Sequence, residues 1–84
     1  MVIKYYSRFE RHYKRLPLEI REVAETKEAV FRNNPFDKRL DTHKLHGRLK
    51  NHWSFSVIRQ YRILFIFEKS DVIFLDIGDH DIYQ

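Results

Sequence analysis

Three apolar, β-rich runs follow one another with almost nothing between them. They are Trp53 to Ile58, Tyr61 to Glu68 and Val72 to Gly78, joined by Arg59-Gln60 and by Lys69-Ser70-Asp71. Connections this short join antiparallel neighbours, because a parallel crossover needs a dozen or more residues. The spacing therefore predicts a meander. In the first run Phe55 and Val57 share one face, while Ser54, Ser56 and Ile58 share the other. The second and third runs, RILFIF and VIFLDI, are apolar at nearly every position, so they are expected to be central and covered on much of both faces.

The N-terminal half supplies a cover for one face. Val2 to Tyr6 has the composition of a short strand. Ser7-Arg8-Phe9-Glu10 matches a capping box, which predicts a helix from Arg8 with the Ser7 hydroxyl accepting from the Glu10 N–H. Phe9, Tyr13 and Leu16 then form one apolar stripe, with Pro17 at its end. From Leu18 to Asn33 the residues Ile20, Val23, Ala24, Lys27, Val30 and Phe31 recur at helical spacing, and Asn33-Asn34-Pro35 stops the pattern. Phe36 to Thr42 reads as a loop tethered by Phe36 and Leu40, and His43 to Lys50 as a brief edge strand with a turn at Gly47. The expected fold class is α+β, with an N-terminal strand and αα-hairpin packed on a twisted antiparallel sheet of about four strands, all within a single domain over 1–84.

Without cysteine the chain has no disulfide, thiolate metal site or cysteine nucleophile. The N-terminus MVIKYYSRF lacks the pattern of a signal peptide, and Ile63 to Phe67 is too short to span a bilayer, so a cytoplasmic location without membrane association is expected. Charge is uneven: residues 36–62 carry net +5 and residues 63–84 net −4. A basic middle attracts phosphates or is simply a solvated surface.

Two residues are out of keeping with their surroundings. Arg62 opens an apolar strand, so it must reach water, pair with a carboxylate such as Asp76 or Asp79, or hold a ligand. His80, flanked by Asp79 and Asp81 just beyond the third run, is either a surface histidine or a proton donor or acceptor, with Gly78 letting the chain turn. His43, His46 and His52 interleave with Lys44, Arg48 and Lys50, a setting that suits a phosphodiester better than a metal cation. Trp53 is either a core residue or a platform for a base.

The segment HKLHGRLKNHWSFSVIRQYRILFIF and the ending DIGDHDIY, in this order of elements, resemble the RelE/ParE superfamily of toxins from toxin-antitoxin systems, and within it the RelE/StbE and YafQ-like ribonucleases. Leu45-x-Gly47 followed by Trp53, the Tyr61-Arg62 pair and Gly78-x-His80-x-x-Tyr83 carry the resemblance. It implies a ribosome-dependent mRNA endonuclease that works without metal or small-molecule cofactor, cutting mRNA in the ribosomal A site and held in check by a cognate antitoxin protein. Arg62 would bind the scissile phosphate, and His80 and His43 would transfer protons. Lys44, Arg48, Lys50 and Arg59, with Trp53 and Tyr83, would contact RNA. Where YafQ-like toxins have a second histidine and an aspartate in the hairpin, this chain has Ser56 and Gln60, which thins the proton-transfer set. The resemblance leaves two other functions open: a ParE-like, non-enzymatic inhibitor of DNA gyrase, or an inactive scaffold that binds antitoxin.

Overall fold

The structure is a computed structural model that describes residues 1–83, apart from the side chain of His80. Five strands form one sheet in the order β1-β5-β4-β3-β2: β1 (Ile3–Tyr5), β2 (His43–Lys44), β3 (Trp53–Ile58), β4 (Tyr61–Glu68) and β5 (Asp71–Gly78). The predicted meander is present as β3, β4 and β5, and its two most apolar runs are interior strands. The sheet is mixed rather than antiparallel, because β1 lies parallel to β5, with Ile3 opposite Val72 and Tyr5 opposite Phe74. Local sequence carries no trace of this pairing, since the whole helical hairpin and three other strands intervene.

Helix α1 (Ser7–Arg15) and helix α2 (Leu18–Asn33) meet at Pro17, whose carbonyl accepts the first amides of α2. The capping box does not form. The Tyr6 N–H donates to the Phe74 carbonyl, which holds Tyr6 extended just past the end of β1, so α1 begins one residue early and Ser7 lies inside it. The Glu10 N–H donates to the Tyr6 carbonyl instead.

The core is aromatic. Phe31 of α2 is fully buried against Phe55, Phe65 and Phe74, with ring centroids 4.8, 5.0 and 5.5 Å away. One ring thus touches β3, β4 and β5 and fixes α2 across them. Leu40, in a 3₁₀ turn over Lys38–Leu40, is also fully buried, as expected of a tether. Phe36 is 55 % exposed but packs edge-on to Trp53 at 5.5 Å and beside Phe67. At the other side of the sheet, Tyr5 of β1 donates to the Glu28 carboxylate of α2, which also pairs with Arg32. Burial, and then the Glu28 bond, push the Tyr5 phenol up to about 12.

β1 covers only the first half of the β5 edge, and α1 flanks the second half. There His12 Nδ1 stands 2.6 Å from Oδ1 of the buried Asp76. The same oxygen accepts the Ile77 N–H. Asp76 is therefore the partner of His12 and not of Arg62. The chain also does not run away from the sheet after Gly78. A 3₁₀ turn over His80–Tyr83 folds back and buries Ile82. Gly78 eases that approach rather than a turn: a Cβ there would stand 3.1 Å from Ile82 Cγ2, and its backbone is not left-handed. Gly47 does carry the predicted turn, with φ of 71°.

Phe31→Ala should lower the unfolding free energy by about 3–5 kcal/mol in urea denaturation, and a loss under about 1 kcal/mol would refute its place at the centre of the core. Gly78→Ala should destabilise by about 1–3 kcal/mol through crowding of Ile82, and a fully tolerated alanine would show that the close approach is not rigid.

Candidate functional site

Burial of Phe55, Phe65 and Phe74 on the helix side sends the alternate residues to the opposite face. Ser54, Leu64 and Arg62 share that second face, with Ser54 opposite Leu64 and Arg62 opposite both Ser56 and Gly78. Arg62 therefore sits across from the residue at which β5 ends. The His80 backbone begins its turn two residues further on, so the meander does bring the two segments to one end of the sheet. The side chain of His80 lies outside the described residues.

Arg62 is held on three sides. Its Nε donates to Ser54 Oγ at 3.1 Å, and its Nη2 donates to the Asp41 carbonyl at 2.9 Å. His43 Nδ1 lies 3.4 Å from the same Nη2. The guanidinium side chain is only 17 % exposed, whereas the Asp41 carboxylate, 3.6 Å from Nη1, is 76 % exposed. An ion pair of that length and exposure is weak. A phosphate arriving at Nη1 has only this loose carboxylate to displace, while Ser54 and the Asp41 carbonyl keep the fork aimed.

Ser54 ties a third group to the site. Its buried hydroxyl also accepts from the Tyr83 hydroxyl at 3.2 Å, so the folded-back tail is fastened to the arginine through one serine. Asp41 adopts a left-handed conformation with φ of 50°, capping the Lys38–Leu40 turn and presenting its carbonyl to Arg62. His43 follows on β2, paired with Ser54 in the register. Beside this cluster a cleft of about 380 Å³ is lined by His43, His46, Arg48, Leu49 and Tyr83, among others.

The structure thus gathers Arg62, His43 and Tyr83 around Ser54, with Arg48 on the cleft wall. Lys44 pairs with Trp53 in the register and so alternates to the side of β2 opposite His43, Lys50 follows the Gly47–Leu49 turn, and Arg59 occupies the β3–β4 hairpin at the Arg62 end. All three are exposed. Trp53 is not with them, because it is on the helix side of the sheet, edge-on to Phe36 and Phe67. Ser54 and Asp41 are the members that sequence reasoning missed. Ser54 left a faint signal, a serine between two aromatic residues in a strand; Asp41 acts through a carbonyl, which every residue has.

No family model and no curated protein matches the sequence. Solved structures do. A YoeB/ParE toxin from Agrobacterium tumefaciens superposes with a TM-score of 0.82 at 15 % identity, covering 95 % of this chain and 99 % of the other. YafQ from E. coli gives 0.79 at 15 % identity over 96 % and 94 % of the two chains. In a RelB-RelE antitoxin-toxin complex from Methanococcus jannaschii the matched chain gives 0.76 at 21 % identity over 95 % and 94 %. Over nearly its whole length, the chain has the α+β fold of the RelE/ParE-like toxins.

Proposed function

We propose that this chain, over 1–84 as one domain, is the toxin of a toxin-antitoxin pair and cleaves mRNA on the ribosome. The observation that carries the reading is the aimed guanidinium of Arg62 in contact with the His43 imidazole, beside a basic cleft and at the strand end where His80 follows. In the proposed reaction a ribose 2′-oxygen attacks the adjacent phosphorus, the bond to the 5′-oxygen breaks, and a 2′,3′-cyclic phosphate and a 5′-hydroxyl end result. One histidine of the His43 and His80 pair takes the 2′ proton, and the other delivers a proton to the leaving oxygen. Arg62 stabilises the charge that builds on the phosphorus oxygens. Lys44, Arg48, Lys50 and Arg59 hold the RNA backbone, and the Tyr83 hydroxyl keeps the tail against the site.

The partner that restrains it is an antitoxin with an acidic or amphipathic segment laid across the basic surface. Solved structures of the fold include a RelB-RelE antitoxin-toxin complex and a RelBE2 toxin-antitoxin complex. Purified complex should be inactive, and removal of the partner under denaturing conditions followed by refolding should restore cleavage; a complex that cuts at the full rate would refute the arrangement.

Mapping of mRNA 5′ ends after induction should reveal new ends within translated frames. Arg62→Ala and His80→Ala should each lower cleavage by at least about 10²-fold. Arg62→Lys should not restore it, because an ammonium cannot hold Ser54 and a phosphate along one planar fork. Unchanged 5′ ends with stalled replication would point to gyrase binding, and induction without growth arrest to a scaffold.

A further inference from the structure

A second cavity, of about 460 Å³, opens on the same sheet face, beyond the cleft lined by His43 and Tyr83. Leu49 lines both, so the two are neighbours along one surface. Its polar lining includes Tyr6, Arg8 and Arg11, all exposed, and the half-buried His52. The floor is apolar, built from Leu64, Leu75 and Ile82. Leu75 is there because of a register shift: Leu64 pairs with Asp76 and Phe65 with Phe74, which leaves Leu75 unpaired in a bulge that turns it toward the cavity.

These walls differ in chemistry and complement one kind of ligand. Arg8 and Arg11 are one turn apart on α1 and, among the described residues, neither forms an ion pair. Two free guanidinium groups side by side suit a phosphate. Tyr6 leaves 54 % of its surface exposed at the rim, although it is a large aromatic residue. An exposed ring above an apolar floor suits the face of a planar base. The volume lies within the range of small-ligand sites.

We propose that this cavity is a second nucleotide subsite, which takes one nucleotide of a single-stranded RNA whose scissile phosphate lies at Arg62, with its phosphate on Arg8 and Arg11 and its base between Tyr6 and the Leu64, Leu75 and Ile82 floor. The assignment rests on the RNA-cleaving reading and adds to it a reason for the strand to bind in one register. It also gives a use to α1 residues that play no part in the chemistry.

The test uses a ten-nucleotide RNA carrying 2′-O-methyl groups, which cannot be cleaved and so reports binding alone. Arg8→Gln/Arg11→Gln should weaken its binding by roughly tenfold or more and flatten the dependence of log K on log salt by about 0.7, the value for one phosphate contact on a single strand. Tyr6→Ala should weaken binding by roughly tenfold, with Tyr6→Phe close to wild type. Titration of the unmodified wild-type chain with the same RNA should shift the methyl resonances of Leu64, Leu75 and Ile82, a readout that needs no variant. If Arg62→Ala weakens binding while the Arg8, Arg11 and Tyr6 variants do not, the subsite is refuted and the RNA reading stands. If adenosine monophosphate shifts the methyl resonances and the RNA does not, the cavity is a free-nucleotide site and the proposal fails. If the wild-type chain binds no RNA at all, the subsite is refuted, and the RNA-cleaving reading is decided separately by the mapped mRNA 5′ ends.

Discussion

The contact of Phe31 with Phe55, Phe65 and Phe74 is the constraint from which the rest of the arrangement follows. A strand has a side-chain period of two, so burying one set of residues dictates where its neighbours go. Once the three sheet phenylalanines face α2, Ser54, Leu64 and Arg62 must face away from it. The polar site therefore needs no separate folding instruction. A slip of β4 by one residue would bury Arg62 and expose Phe65, and the loss of the aromatic core would far outweigh any gain.

Much of this was legible. The meander, the boundaries of α2, the tether at Leu40 and the inner position of the two most apolar strands follow from periodicity and short connections. What escaped shares a physical character. The β1 and β5 pairing is a backbone contact between distant segments, the failure of the capping box follows from that same pairing through the Tyr6 N–H, and the His12 and Asp76 bond joins a helix to a strand end. Local propensity is silent on such contacts. Gly78 was singled out for its backbone freedom, but what it supplies is the absence of a Cβ beneath Ile82.

The site shows the same division. Arg62 stands out as a charge at the head of an apolar strand, and the basic loop is evident from composition. The groups that aim Arg62 are a serine hydroxyl and a main-chain carbonyl in a left-handed residue, neither of which has a distinctive sequence mark. Resemblance to a toxin family identified His43 and Tyr83, and the geometry supplies their connection: both reach Arg62, His43 directly and Tyr83 by way of Ser54. Trp53, an attractive platform when seen only as an aromatic residue beside basic ones, is turned to the other side by the alternation that places Ser54 beside Arg62.

The parallel pairing of β1 with β5 has a consequence for the order of events in folding. β1 is made first and its only strand partner last, so it must wait, unpaired, through the appearance of every other element. Contacts so distant along the chain are slow to form and come late. The helical hairpin and the β3–β4 hairpin can assemble from local contacts, whereas the sheet edge and the C-terminal turn close only when β5 is in place. A chain interrupted before β5 would hold Arg62 with Ser54 and Asp41 but with neither the Gly78 backbone nor Tyr83 beside it, so the polar cluster is completed only when the tail folds back.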